Sequence, residues 1–360
     1  MFSKDLEYKL TAMIDVYNDN HSDAIDLILR EHLGVLGATG SKIAFIDEDG
    51  IHLSPKDGRS DPKSILKFLE GPKSPEDVVS VLMEALSDAR SNAPLATPKT
   101  KIEREIEKTR KLRTYITQVT GKRKISSNIV ELTFTGGFTD FPNLGNDAFL
   151  YLIVNHVDHT RSFPEGFSME TFRKTHTKGR KSDYSGAYYT IRDCRPNEID
   201  VWFVLHDDSG PLSRWAEDVL IGGEIAIWGP RSSFRPPAET NKYLFIADET
   251  AQPAVLSSIE GLARQKAYSC LFETQDASSS FDLGDKKDRV DWIYRGDEKA
   301  GQGTGLIKSV ESLRLDTKNL YIFGAGETRQ ISAIRRYLLN KYALASSQIT
   351  MVGYWSRSRE

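Results

Sequence analysis

The chain has 360 residues, a length that suits roughly two to three domains. Its 48 Lys and Arg against 51 Asp and Glu leave a net charge of -3, without the basic excess that a nucleic-acid binder needs. At 39% hydrophobic residues the make-up is that of a soluble globular protein, and no apolar run approaches the ~20 residues of a membrane span. The N-terminus is charged and lacks the apolar core of a secretory signal. Cys194 and Cys270 stand far apart and make neither a disulfide framework nor a zinc site, so no metal ligands are expected. A reducing cytoplasm is the simplest compartment, and a monomer is the expected state.

Residues 1–97 read as a small α+β accessory domain. Helical apolar spacing marks 6–17 and 24–32, with Ser22-Asp23 as a cap for the second helix. Residues 42–46 and 50–53 read as a hairpin around Asp-Glu-Asp-Gly. Two more helices are predicted at 62–69 and 75–89, each with a cap residue and a proline at its first position (Ser60-Asp61-Pro62 and Lys73-Ser74-Pro75). Residues 91–100, rich in Pro, Ala and Thr, mark the first boundary. The charged run 101–111 reads as a solvated helix or an extended linker.

Residues 98–238 form the second domain. Runs at 112–122, 129–135 and 149–154 alternate as antiparallel strands do. Strand-like runs at 187–192, 198–205 and 224–228 bring the total to six, enough for a small closed barrel. The polar, basic insert 155–184 reads as a mobile loop, with Lys174, Lys178, Arg180 and Lys181 on it. Between the last two strands runs His206-Asp-Asp-Ser-Gly210-Pro211-Leu-Ser213-Arg-Trp215-Ala, a polar turn leading into a short helix. The N–H groups that open such a helix can hold an anion, and Ser213 can cap it or bind a phosphate oxygen. Tyr189 and Thr190, near a strand end, offer a ring to stack on a planar ligand and a hydroxyl to bond it.

Residues 239–360 form the third domain. Strands at 242–247, 267–273, 290–294, 320–324 and 348–354 alternate with helices at 255–265, 305–313 and 327–342, which argues for an open parallel α/β sheet. Such sheets bind ligands at the carboxyl ends of their strands. Two loops there carry chemistry, Asp248-Glu249-Thr250 and Gly324-Ala325-Gly326-Glu327-Thr328, although no G-x-G-x-x-G fingerprint is present.

Several of these pieces together resemble the siderophore-interacting protein family of flavin-dependent ferric-siderophore reductases. They are Tyr189-Thr190-Ile-Arg192, Asp200-Val-Trp-Phe-Val-Leu-His206, Gly210-Pro211-Leu-Ser213-Arg-Trp215-Ala, Gly229-Pro230-Arg231, Asp248-Glu249-Thr250-Ala251-Gln252-Pro253-Ala254, Ala325-Gly326-Glu327 and Gly353-Tyr354-Trp355. The resemblance covers about 112–360. It implies a ferredoxin-reductase-like pair of domains: an FAD-binding six-stranded antiparallel β-barrel, then an NADH- or NADPH-binding parallel α/β domain. It assigns Tyr189, Thr190 and Arg192 to the flavin ring and phosphate, and His206, Gly210, Pro211, Ser213 and Trp215 to the pyrophosphate turn and its support. Asp248, Glu249, Thr250, Gly326 and Glu327 then position the nicotinamide nucleotide, and Trp355 covers the flavin. The substrate is a ferric siderophore near the basic insert, with ferredoxin as an alternative electron donor. The family usually carries an Arg where this chain has Ala187; a lost charge-assisted contact weakens cofactor binding by roughly 1.5–3 kcal/mol. Two other readings stand beside this one: a siderophore or haem carrier that kept the fold without the flavin, and a general flavin or quinone reductase. Residues 1–97 weakly resemble the small α+β domain appended to some haem-utilisation proteins, through the stretch around His21.

Overall fold

A computed structural model describes residues 2–56, 64–110, 112–136, 138, 147–175, 182–205 and 210–357. The chain divides into two compact units, Met1–Lys111 and Leu112–Ser358.

In the first unit, α1 (Lys4–Asn20) begins where Ser3 accepts the Leu6 N–H. The next helix, α2 (Ser22–Leu27), runs into a π turn at Ile28–His32. Its cap position is His21, not the Ser22-Asp23 pair expected; Ser22 is already helical, and Asp23 instead accepts N–H groups from Ala24 and Lys101. Strands β1 (Lys42–Ile46) and β2 (Gly50–Ser54) make the expected antiparallel hairpin. The helix expected at 62–69 is absent from its described part. Ile65–Lys67 is instead a third strand, β3, paired with β2 so that Leu66 lies opposite Ile51 and both are buried. Tertiary pairing overrides a weak local pattern in so short a run. Ser60, Asp61 and Pro62 lie outside the described residues. Helix α3 (Pro75–Asn92) opens with a reciprocal Ser74–Asp77 capping box and Pro75 in its first turn. The charged run is a helix, α4 (Lys101–Arg110). Arg90 grips Glu103 with two nitrogens, each at 2.7 Å, and donates to the carbonyls of Thr97 and Pro98. The Pro-rich stretch is therefore tied down. The core of this unit gathers Leu10, Leu29, Ile51, Val78 and Leu82. His21 is buried within it, edge-on to the Tyr17 ring at 5.4 Å.

In the second unit six strands close a barrel in the order β4-β5-β8-β7-β6-β9: β4 (Arg113–Lys124), β5 (Ile129–Thr135), β6 (Phe149–Asn155), β7 (Tyr184–Arg195), β8 (Glu198–Val204) and β9 (Glu224–Arg231). Every pair is antiparallel. Alternate residues such as Leu132, Phe134, Leu152, Val201 and Phe203 fill the interior. The short helix α6 (Pro211–Asp218) adds Leu212, Trp215 and Ala216 to that core. The insert expected as a mobile loop is anchored to the barrel through part of its described length. It contains α5 (Met169–Thr175), and Phe167, Met169 and Phe172 bury against Ile153, Ala226 and Trp228 on the barrel's outer wall.

The remaining strands form one parallel sheet in the order β12-β11-β10-β13-β14: β10 (Lys242–Ala247), β11 (Ala267–Thr274), β12 (Val290–Tyr294), β13 (Leu320–Glu327) and β14 (Ile349–Trp355). Helices α7 (Gln252–Glu260), α8 (Gly305–Ser312) and α9 (Thr328–Tyr342) connect them. Helix α7 ends at Glu260, not at 265, because Gly261 takes the C-cap. One cluster packs Phe245, Val255, Phe272 and Phe323; another packs Ile246, Leu271, Ile322 and Leu338. A buried parallel sheet needs both faces covered, which explains the unbroken apolar runs.

Candidate functional site

The site is built on β7, where side chains alternate between faces. Ala187, Tyr189 and Ile191 pack toward the barrel core. The Tyr189 ring lies 4.5 Å from Phe203, and its hydroxyl meets the Ser213 hydroxyl; burial pushes its pKa up to about 12. Ser213 does not cap α6. Gly210 holds that position and Pro211 follows at the first turn, so Ser213, three residues past the cap, turns its side chain to Tyr189. Trp215 is wholly buried beneath, 6.3 Å from the Phe203 ring, and acts as core.

The other face of β7 carries Tyr188, Thr190 and Arg192. Thr190 is buried beside Tyr354 of β14, so the barrel wall and the sheet meet there. The Thr190 and Tyr354 hydroxyls face each other without completing a well-formed hydrogen bond, and the buried Nε of Arg192 has no partner. The other Arg192 nitrogens clasp Glu260 of α7 at 2.7 and 2.9 Å, and the guanidinium lies over the Trp202 ring at 5.5 Å. Tyr189 and Thr190 thus do not point at one spot; they serve opposite sides of a single strand.

At the carboxyl ends of β10, β11 and β13 sits a buried carboxylate group. Asp248 accepts from the Thr250 N–H and hydroxyl, the Glu327 N–H at 3.0 Å and the Trp355 indole N–H at 2.8 Å. Burial lifts its pKa to about 6. Gly326, at φ +153, lets the backbone pass this carboxylate; an added Cβ would stand 2.7 Å from Asp248 Oδ2. Glu249 pairs with Arg295 at 2.5 Å and accepts the Gln275 N–H. Glu327 caps α9 by accepting the N–H groups of Arg329 and Gln330. Each of these residues therefore has a structural task.

Residues that sequence reasoning passed over complete the group. Glu273 is buried, accepts from Gln330, and has its pKa raised to about 7 by burial and by the neighbouring Asp248 charge. A lone charged residue at the end of the apolar strand AYSCLFET was the available signal. Tyr354 gave none beyond its motif. Of the predicted substrate residues, Lys174 pairs with Glu170 at 2.8 Å on the exposed face of α5. Lys178, Arg180, Lys181 and His206 lie outside the described residues.

Residues 118–234, which hold the barrel, match the family model of the siderophore-interacting FAD-binding domain, and residues 240–358, which hold the sheet, match that of the siderophore-interacting protein. The chain belongs to the siderophore-interacting protein family. The curated relatives of this family member include the ferric vibriobactin reductase ViuB of Vibrio cholerae, 24% identical over 66% of this chain and 88% of that protein. Among solved structures, a siderophore utilization protein from T. fusca is 22% identical, with a TM-score of 0.59 over 69% of this chain and 95% of that one. The siderophore-interacting protein of Acinetobacter baumannii is 20% identical, with a TM-score of 0.55 over 69% and 92%. These structural likenesses establish the ferredoxin-reductase-like fold, and the family matches leave the first 117 residues uncovered.

The residues present fit FAD, the group that the matched domain binds. Unpartnered buried donors and acceptors are costly unless something meets them. The Thr190 and Tyr354 hydroxyls, which meet each other only loosely, and the unpartnered Arg192 Nε line the seam between barrel and sheet, where a planar ligand with a polar rim would satisfy them. The start of α6, with Gly210, Pro211 and Ser213 beside Tyr189, offers N–H groups to a pyrophosphate.

Proposed function

We propose that the protein is a flavin-dependent reductase of ferric siderophores, working in the cytosol with electrons from NADH or NADPH. Ferredoxin is the alternative donor. The observation that carries the proposal is the seam itself: the buried Thr190 and Tyr354 hydroxyls and the Arg192 Nε lack a well-formed hydrogen bond, with Thr190 and Arg192 inside the stretch matched to an FAD-binding domain. ViuB, by name a ferric vibriobactin reductase, supports the choice of substrate.

FAD, when bound, accepts a two-electron hydride and releases single electrons to Fe3+. The chain supplies binding and orientation. Thr190 and Tyr354 would meet the polar edge of its ring, and Tyr189 with Ser213 would steady the barrel side. The α6 start would hold the pyrophosphate. Asp248, through Trp355 and Glu327, fixes the floor of the nucleotide sheet where the donor docks. Glu249, Thr250 and Gly326 shape the same edge. Hard oxygen donors hold Fe2+ far less firmly than Fe3+, so reduction releases the metal.

The test is the visible spectrum of the purified protein before and after anaerobic addition of a nicotinamide donor, followed by a ferric siderophore with a Fe2+ trap. Absorbance near ~450 nm that bleaches with the donor and returns as Fe2+ appears supports the proposal. A colourless protein that added FAD cannot restore favours the second reading, a carrier that lost its flavin, for which Ala187 is the supporting residue. Reduction of quinones or free flavin but of no ferric siderophore favours a general flavin reductase.

A further inference from the structure

Beside the seam, on the outer wall of the barrel, aromatic and cationic side chains share one surface. Tyr188 of β7 is 51% exposed. Phe149 of β6 meets it edge-on at 5.6 Å, and Tyr151 meets it at 4.8 Å. The Arg231 guanidinium, at the end of β9, lies 5.5 Å from the Phe149 ring and 5.7 Å from the Tyr188 ring, and donates to the Tyr188 hydroxyl at 3.1 Å. No carboxylate among the described residues pairs with Arg231. A glycine supports the assembly: a Cβ at Gly186 would stand 2.4 Å from the Tyr151 ring. Tyr188 and Thr190 share a face of β7 and are two residues apart, about 7 Å along the strand.

Three features set this surface apart from ordinary packing. A large aromatic face is left half in solvent. A guanidinium lies across two rings with its charge unmatched by any described acid. The place adjoins the seam assigned above to the flavin. A ring held this way attracts another flat ring by offset stacking, and the guanidinium attracts anionic oxygen on it. An aliphatic hydroxamate or citrate chelate offers oxygen but no ring.

We propose that Tyr188, Phe149 and Arg231 form a platform for ferric chelates whose iron-binding groups are aryl, catecholates or phenolates, and that this platform sets the siderophore class. The inference rests on the ferric-siderophore reading above and adds which chelates the site prefers. Iron held by such groups carries net negative charge, which Arg231 and the nearby Arg173, 5.8 Å from the Trp228 ring, complement.

The test uses Ga3+, which matches Fe3+ in charge and size but is not reduced, so that binding is read apart from electron transfer. The full chain is titrated calorimetrically with Ga3+ complexes of a tripodal tris(2,3-dihydroxybenzamide), a linear trihydroxamate and citrate. The catecholate complex is expected to bind at least tenfold more tightly than either of the others. Tyr188→Leu, which keeps bulk without a π face, should weaken the catecholate by about three- to tenfold and leave citrate unchanged. Arg231→Lys, which keeps the charge without the plane, should do the same. Equal binding of the three chelates overturns the proposal, and so does a Tyr188→Leu loss common to all of them. If the catecholate preference holds but no Fe3+ chelate is reduced anaerobically, the platform stands and the reductase reading fails.

Discussion

The Trp355 indole N–H and the Glu327 backbone N–H both donate to Asp248 Oδ2, at 2.8 and 3.0 Å. One buried carboxylate thus joins the ends of β10, β13 and β14. A hydrogen bond to a charged group is worth about 1.5–3 kcal/mol. Trp355→Phe keeps the ring and removes the donor, so it should destabilise the second unit by about that much, read from urea unfolding. Asp248→Asn should cost at least as much. The double variant should show coupling above about 1 kcal/mol; simple additivity would contradict the shared bond.

The same carboxylates set a pH dependence. Burial lifts Asp248 to about 6 and Glu273 to about 7, both above the ordinary carboxylate range. The folded state therefore binds protons more readily than the unfolded chain. Their stabilising contribution is full below pH ~4 and is lost as the pH rises through about 6 and then about 7. Wild-type Tm should accordingly fall between pH 5.5 and pH 8, and Glu273→Gln should flatten that slope. Identical Tm profiles for the two proteins would remove Glu273 from the account.

Ala187 lies on the core-facing side of β7, beside Tyr189 and on the side of Ser213. An arginine there should supply the phosphate contact that the family resemblance implies for this position. Ala187→Arg is expected to tighten FAD binding by roughly ten- to a hundredfold, the worth of one charge-assisted bond. Fluorescence titration of the apoprotein measures it, and unchanged affinity would show that this position does not face the phosphate.

In the first unit the Arg90 guanidinium holds Glu103 down to about 2. A depressed carboxylate stabilises above its unfolded value and loses that contribution as the pH falls through its folded one. The Arg90–Glu103 clasp should therefore hold at pH 7 and give way between roughly pH 4.5 and pH 2. Glu103→Gln should lower the neutral-pH stability of this unit by about 1–2 kcal/mol, half-exposed neighbours moderating the effect. The gap between the two proteins should close by pH 2, as followed by far-ultraviolet circular dichroism.

Much of the barrel and sheet was legible because each strand announces its own burial. Residues 130–135 alternate in sequence, apolar side chains toward the barrel core, and 243–247 are unbroken apolar, as a doubly covered strand must be. Ile65–Lys67 was not, since three residues carry no period and only β2 decides their fate. The packing of the insert escaped notice because Phe163, Phe167 and Phe172 sit among polar residues and meet only on the barrel wall. In the site, the motif residues could be named, but their partners could not. Nothing local says that Asp248 would meet Trp355, 107 positions on, or that Arg192 would be held by Glu260. Tyr188 was hidden beside its motif neighbour Tyr189, because facing inward or outward is settled by register, not by residue type.

The barrel and the sheet are stitched by polar ties that belong to both. Arg192 clasps Glu260, Asn128 reaches Glu249, and Ser127 bonds to Ser278 and Ser279. Anyone wishing to graft the nucleotide half of a cousin onto this barrel would have to transplant those stitches as matched pairs. A cut made cleanly at the linker near residue 238 would leave each half without the partners of its stitches and of the apolar cluster that Ile129 and Trp202 share with Phe245.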